Sequence, residues 1–119
     1  MNNKFSVTDA EMPLLRTLWR LGEASSPEIF QGLSGNNNTL KTLLLRLCKK
    51  GAVLTREINQ RHYHYRAAYT EEAYVVNQRE TFLSRVFDGS AELMLLHFVR
   101  DGKITPETVR RLMDMAEEE

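Results

Sequence analysis

The 119-residue chain has one cysteine, three prolines, one tryptophan and no net formal charge. A single cysteine excludes an internal disulfide and a cysteine-rich metal cage, and it suits a reducing cytoplasm. A cytoplasmic protein with no metal and no other cofactor is therefore expected. No apolar run approaches the roughly 20 residues needed to span a bilayer, and no signal peptide is expected ahead of Phe5, so membrane insertion is not expected. There is no internal repeat, no low-complexity tract and no flexible linker. Nothing has the strained nucleophile turn or the acid–base spacing of a hydrolase, so an enzyme is not expected either. What remains is 42% apolar and 27% charged, ordinary for a chain that builds one modest core.

The zero net charge hides an asymmetry. Residues 1–66 carry 10 Lys and Arg against 5 Asp and Glu, whereas residues 67–119 carry 6 against 11. A basic half joined to an acidic half suggests a polyanion-binding module carried by a module of another kind. The boundary falls near Ala67–Thr70, giving expected domains at 1–68 and 69–119.

The basic half is organised around Gly35–Gly51. Leu40, Leu43, Leu44 and Leu47 recur at helical spacing, with Cys48 at the edge of the stripe as a small core residue. About half a turn away lie Asn38, Thr42, Arg46 and Lys49, with Lys41 on the flank. Gly51 supplies the left-handed residue that ends such a helix, and Lys49 and Lys50 complement its negative end. An acid-free polar face led by Asn36-Asn37-Asn38 suits base edges in a DNA major groove; the bland alternative is an ordinary solvated helix. One of the three asparagines is expected to cap the helix rather than read a base. Leu45 points outward with the polar set, where it either meets a thymine methyl or packs under a neighbouring element.

The flanks favour the first reading. Thr8-Asp-Ala-Glu11 is a capping box, and Leu15, Leu18 and Trp19, with Met12 and Leu14, mark a helix closed by Gly22. Pro13 near its start predicts a local distortion. Ser25-Ser-Pro-Glu28 opens a short helix with Ile29, Phe30 and Leu33 on its apolar side. Two helices joined by a Gly-containing turn, the second with a polar leading edge, form a helix-turn-helix signature. Ala52–Ile58 then reads as a strand, and Arg61–Arg66 alternates on period two around Asn59-Gln60, which makes a hairpin. Arg56 and Arg61 sit near its tip and suit phosphate or minor-groove contacts, with His62 beside them. His62 and His64 share one face, but two histidines without a third ligand make a poor metal site, so none is expected.

From Thr70 the pattern becomes helical again. Glu71 and Glu72 open a helix running through Phe82, Leu83 and Val86 to Asp88-Gly89. Ser90 caps Ala91–Val99, which is apolar nearly all round and needs burial on every side. One winged-helix unit has no room for it, which predicts a subunit interface. Thr105-Pro-Glu107 starts a last helix with Val109, Leu112, Met113 and Ala116 on one face, and Glu117-Glu118-Glu119 reads as a frayed tail. The fold class expected is mainly α with a small β-hairpin wing: a winged helix-turn-helix domain plus a C-terminal helical dimerisation arm.

Thr8–Glu11, Leu18-Trp19, Thr39–Leu47 with Lys50-Gly51, the Tyr-rich hairpin and Phe82–Gly89 together resemble the penicillinase-repressor (BlaI/MecI/CopY) family, in register from about Thr8 to about Glu117. The resemblance implies a bacterial homodimeric repressor of resistance or metal-homeostasis genes that occupies palindromic operators in double-stranded DNA. It also implies that the last three helices dimerise, through Phe82, Leu83, Val86, Leu93, Leu95, Leu96, Phe98 and Leu112. Asn37, Asn38, Thr39, Lys41, Thr42, Arg46, Lys49, Arg56, Arg61 and His62 are the DNA-contact candidates. Copper-responsive members carry four cysteines near the C-terminus; this chain has none there, so release by copper is not expected. In β-lactam-responsive members a membrane sensor protease cuts the arm before a phenylalanine. The matching bond is His97–Phe98, with His97 where those repressors carry Asn. Relatives place a tryptophan and a serine or proline near Asn36-Asn37-Asn38, so the operator is expected to differ. Two rival readings stand beside this one: a winged-helix protein–protein interaction module, and a regulator that senses a ligand or metal.

Overall fold

The computed structural model describes residues 3–118; Met1, Asn2 and Glu119 lie outside the described residues, so only the first two glutamates of the tail are described. The elements in order are α1 (Met12–Leu21), β1 (Glu23–Ala24), α2 (Ser26–Phe30), α3 (Asn37–Lys50), β2 (Val53–Asn59), β3 (His62–Ala67), α4 (Glu71–Phe87), α5 (Ala91–Arg100) and α6 (Pro106–Glu117). This is a mainly helical winged helix-turn-helix architecture with a small antiparallel sheet of order β1-β3-β2. No helix among the described residues is long and apolar enough to cross a membrane.

The capping box at the start of α1 forms, but one turn ahead of the helix. The Thr8 amide donates to Glu11 Oε1 (2.9 Å) and the Glu11 amide to Thr8 Oγ1 (3.2 Å), while regular helix begins at Met12. Pro13 therefore lies in the first turn, where a missing N–H has no acceptor to serve, and the expected distortion is not needed. Gly22 closes α1 with its amide on the Leu18 carbonyl (2.7 Å). Ser25 and Glu28 form a complete capping box on α2. Phe30 ends that helix, so Leu33 packs from the following turn.

Leu14, Leu15 and Leu18 of α1, Ile29 of α2, and Leu40, Leu43, Leu44 and Leu47 of α3 make one buried cluster with Ala24, Ala52 and Val53. Each leucine so buried contributes about 1.5–3 kcal/mol, which fixes the angle between α2 and α3 more firmly than the five-residue α2 could by itself. The sheet closes the other side. In its register Ala24 faces Tyr65 and Val53 faces Ala67, all on the core side. Strand alternation then turns Glu23, Arg56, His64 and Arg66 to the outer face. β1 carries too short a pattern to read from sequence, so the expected two-stranded hairpin is a three-stranded sheet.

The segment after β3 is tied down by aromatics. Trp19 Nε1 donates to the Tyr69 carbonyl (2.9 Å) and the Tyr69 hydroxyl to the Lys4 carbonyl (2.6 Å). Phe5 stacks on Tyr69 at 4.5 Å between centroids, and Trp19 meets Tyr74 at 5.6 Å.

The chain divides into two compact units, residues up to 77 and residues from 78, with α4 running through the division. In the second unit Ser90 and Thr105 cap α5 and α6 through the amides of Leu93 and Thr108. Within it Phe82 and Phe87 meet edge to face at 5.6 Å, and Phe87 lies 5.4 Å from the His97 ring. No residue of α5 or α6 is buried in the single chain.

Candidate nucleic-acid interface

The leucine stripe decides what α3 shows to solvent. With Leu40, Leu43, Leu44 and Leu47 in the core, Asn37, Asn38, Thr39, Lys41, Thr42, Leu45, Arg46 and Lys49 are left exposed. Asn36 is the cap: its Oδ1 accepts the Thr39 amide (2.8 Å), which leaves Asn37 and Asn38 on the first turn. Thr42 donates its hydroxyl to the Asn38 carbonyl (3.0 Å), so toward a ligand it offers an acceptor oxygen and a methyl. Gly51 at φ 84° ends the helix, with Lys49 and Lys50 in the last turn. No acid lies between Gly32 and Gly51, so Lys41, Arg46 and Lys49 make a face of one sign. Beside it, Ser26, Pro27, Phe30, Gln31, Asn37 and Lys41 line an open groove of about 460 Å³ between α2 and α3.

Lys50 faces the other way. Its ammonium donates to Glu11 Oε1 and to the Ser6 carbonyl (2.8 Å), linking the end of α3 to the start of α1. Glu11 is 1% exposed. Burial opposes ionisation of its carboxyl, but the hydrogen bonds from Lys50 and Thr8 outweigh it and hold the pKa below the ordinary glutamate value. Cys48 lies against the core, and burial pushes its thiol pKa up.

On the wing the three contact candidates have different surroundings. Arg61 occupies the turn between β2 and β3, exposed, with φ 68°. His62 follows it, exposed at the start of β3. Arg56 is paired within the sheet: its Nε donates to Glu23 Oε1 (3.2 Å) and its Nη2 to Glu23 Oε2 (2.5 Å). His64 Nδ1 lies 3.2 Å from the same Oε2, so His64 faces a carboxylate and not His62. Hydrogen bonds from Arg56 and then His64 lower the Glu23 pKa to about 2. Sequence reading missed Glu23 as the holder of Arg56, since only the pairing of β1 with β3 brings it there. No group of three or more His, Cys, Asp or Glu that could hold a metal occurs among the described residues.

The arm residues divide as well. Phe82, Val86, Leu93, Leu95, Leu96, Phe98 and Leu112 are exposed large apolar side chains, whereas Leu83 is 7% exposed and already covered within the single chain. The His97–Phe98 bond lies inside α5, where the His97 carbonyl accepts the Asp101 amide (3.0 Å) and the Phe98 carbonyl the Lys103 amide (2.9 Å).

A family profile described as Penicillinase repressor matches residues 7–118. The chain is 28% identical to the penicillinase repressor of Bacillus licheniformis over 94% of its own length and 90% of the relative's. It is 22% identical to the methicillin resistance regulatory protein MecI of Mammaliicoccus sciuri, over 97% of each. Among solved structures, AbfR of Staphylococcus epidermidis superposes with a TM-score of 0.47 at 19% identity, over 92% of this chain and 76% of that one.

Proposed function

Because this chain belongs to the penicillinase repressor family, we propose that it works as a homodimer on a palindromic operator, each copy laying α3 in a major groove. Members of the family are transcriptional repressors and not enzymes. The observation that carries the reading is the acid-free exposed face of α3, with Asn37 and Asn38 leading and Lys41, Arg46 and Lys49 behind. Asparagine can bridge the two edge groups of adenine, and Lys and Arg supply phosphate or guanine contacts. Arg61 at the wing tip adds a contact beside the helix.

Homodimerisation is supported by α5 and α6, which have no fully buried residue in the single chain and expose Leu93, Leu95, Leu96, Phe98 and Leu112. Two copies would set the half-sites about one helical turn, roughly 34–36 Å, or a multiple of it apart. Loss of the second copy removes the avidity of two linked half-sites, so release follows from anything that cuts or loosens α5. Cleavage at His97–Phe98 by a membrane sensor protease is one such route. The helical hydrogen bonds across that bond mean that the last turns of α5 must unwind before a protease can bind it extended.

Alanine substitution of Lys41, Thr42 and Arg61 tests the reading. Duplex binding is lost, while the unfolding midpoint stays at that of the wild type because all three side chains are exposed. Unchanged duplex binding would replace this reading with that of a protein-interaction module.

A further inference from the structure

Leu45 is 62% exposed in the middle of the most polar face of the molecule. The 100° helical step places it between Asn38 and Lys49, one turn from Lys41 and Thr42, and opposite buried Leu47. At that exposure the wing does not bury it. Single exposed leucines are ordinary on protein surfaces; this one is set apart by a basic, acid-free surround that suits a polyanion and no apolar partner. Its neighbour adds to the effect. With the Thr42 hydroxyl hydrogen committed to the Asn38 carbonyl (3.0 Å), the centre of the face offers no donor from either residue. Donors come from around it, at Asn38, Lys41, Arg46 and Lys49. A base edge bearing only acceptors would therefore go unanswered at the centre. The feature of the major groove that answers an apolar centre is the C5-methyl of thymine.

Resting on the DNA-binding reading of α3, we propose that Leu45 is a specificity-determining residue that selects thymine by its methyl group, with Thr42 completing the apolar contact. Asn37, Asn38 and Arg46 then read or anchor the flanking positions.

The test is a deoxyuridine scan, which removes the methyl and nothing else. The duplex preferred by the wild-type protein is remade with each thymine replaced in turn, and binding is measured for wild type and Leu45→Ala. One thymine per half-site costs the wild type about fourfold when replaced, the worth of one buried methyl-sized group. The same replacement costs Leu45→Ala nothing. A Leu45→Met variant, which keeps the apolar reach, retains the discrimination. Equal losses for wild type and Leu45→Ala, or no loss at any thymine, would overturn the role of Leu45 while leaving the repressor reading intact. A wild-type protein that prefers no duplex would overturn both. Because Leu45 is exposed, the unfolding midpoints of both variants match the wild type, so a failure to bind is not a failure to fold.

Discussion

Glu23 holds Arg56 across the outer face of the sheet, carboxylate to guanidinium through two hydrogen bonds, with His64 on the same oxygen. An arginine expected to meet phosphate is thus matched within its own chain, and in the proposed complex Glu23 would compete with DNA for it. Glu23→Gln is expected to tighten binding to any duplex severalfold and to steepen the salt dependence by up to about one unit of slope, since one more cation becomes available. Binding curves between 50 and 200 mM salt check this. Unchanged affinity would mean that Arg56 stays on the sheet when DNA binds.

The same pair gives a pH dependence of known sign. Hydrogen bonds from Arg56 and then His64 depress the folded-state pKa of Glu23 from the ordinary glutamate value to about 2. Its contribution to stability is therefore present above the unfolded value and is lost as pH falls through the folded one. Denaturant midpoints of wild type and Glu23→Gln should differ at pH 6 and converge between about pH 4.5 and pH 2. A difference that persists at pH 2 would assign it to packing.

Lys50 neutralises the buried carboxylate of Glu11. Lys50→Met leaves that carboxylate with Thr8 alone, and the expected loss is about 2–3 kcal/mol in urea unfolding at neutral pH. Acidification should recover part of it as Glu11 protonates. A change under about 0.5 kcal/mol, within the range of ordinary surface substitutions, would contradict the assignment.

Arg61 sits at φ 68°, a conformation that costs a side-chain-bearing residue about 1–2 kcal/mol. Arg61→Gly relieves part of that cost, so the variant should be more stable by up to about 1 kcal/mol and yet bind duplex more weakly, with a salt slope shallower by about one unit. Gain of stability with unchanged binding would remove Arg61 from the interface.

Leu95→Asp places a charge on the exposed apolar surface of α5. A monomer by sedimentation and an operator affinity lower by about 10²–10⁴-fold are expected, with α1–α3 still folded. A dimer of full affinity would move the interface elsewhere.

The sequence made α3 legible because four leucines at helical spacing can be satisfied only by a buried stripe, and the Asn36-Asn37-Asn38 run and Gly51 mark its ends; which asparagine caps it, Asn36, came only with the structure. The wing was legible from the alternation of His62 through Arg66. What escaped has a physical reason in each case. β1 is two residues long and carries no period, so the third strand and Glu23 went unseen with it. The Thr8–Glu11 box announced a helix that starts one turn later, because a capping box satisfies amides in a turn as well as in a helix. Leu83 shares its spacing with exposed Phe82 and Val86, and spacing alone does not tell which side a chain covers by itself.

The most direct test is selection from random duplexes across a salt titration, with the mass of the complex measured on the winning sequence. The account predicts a palindrome bound by two copies, with affinity falling steeply as salt rises. No enriched sequence, or a site occupied by a single copy, would contradict it.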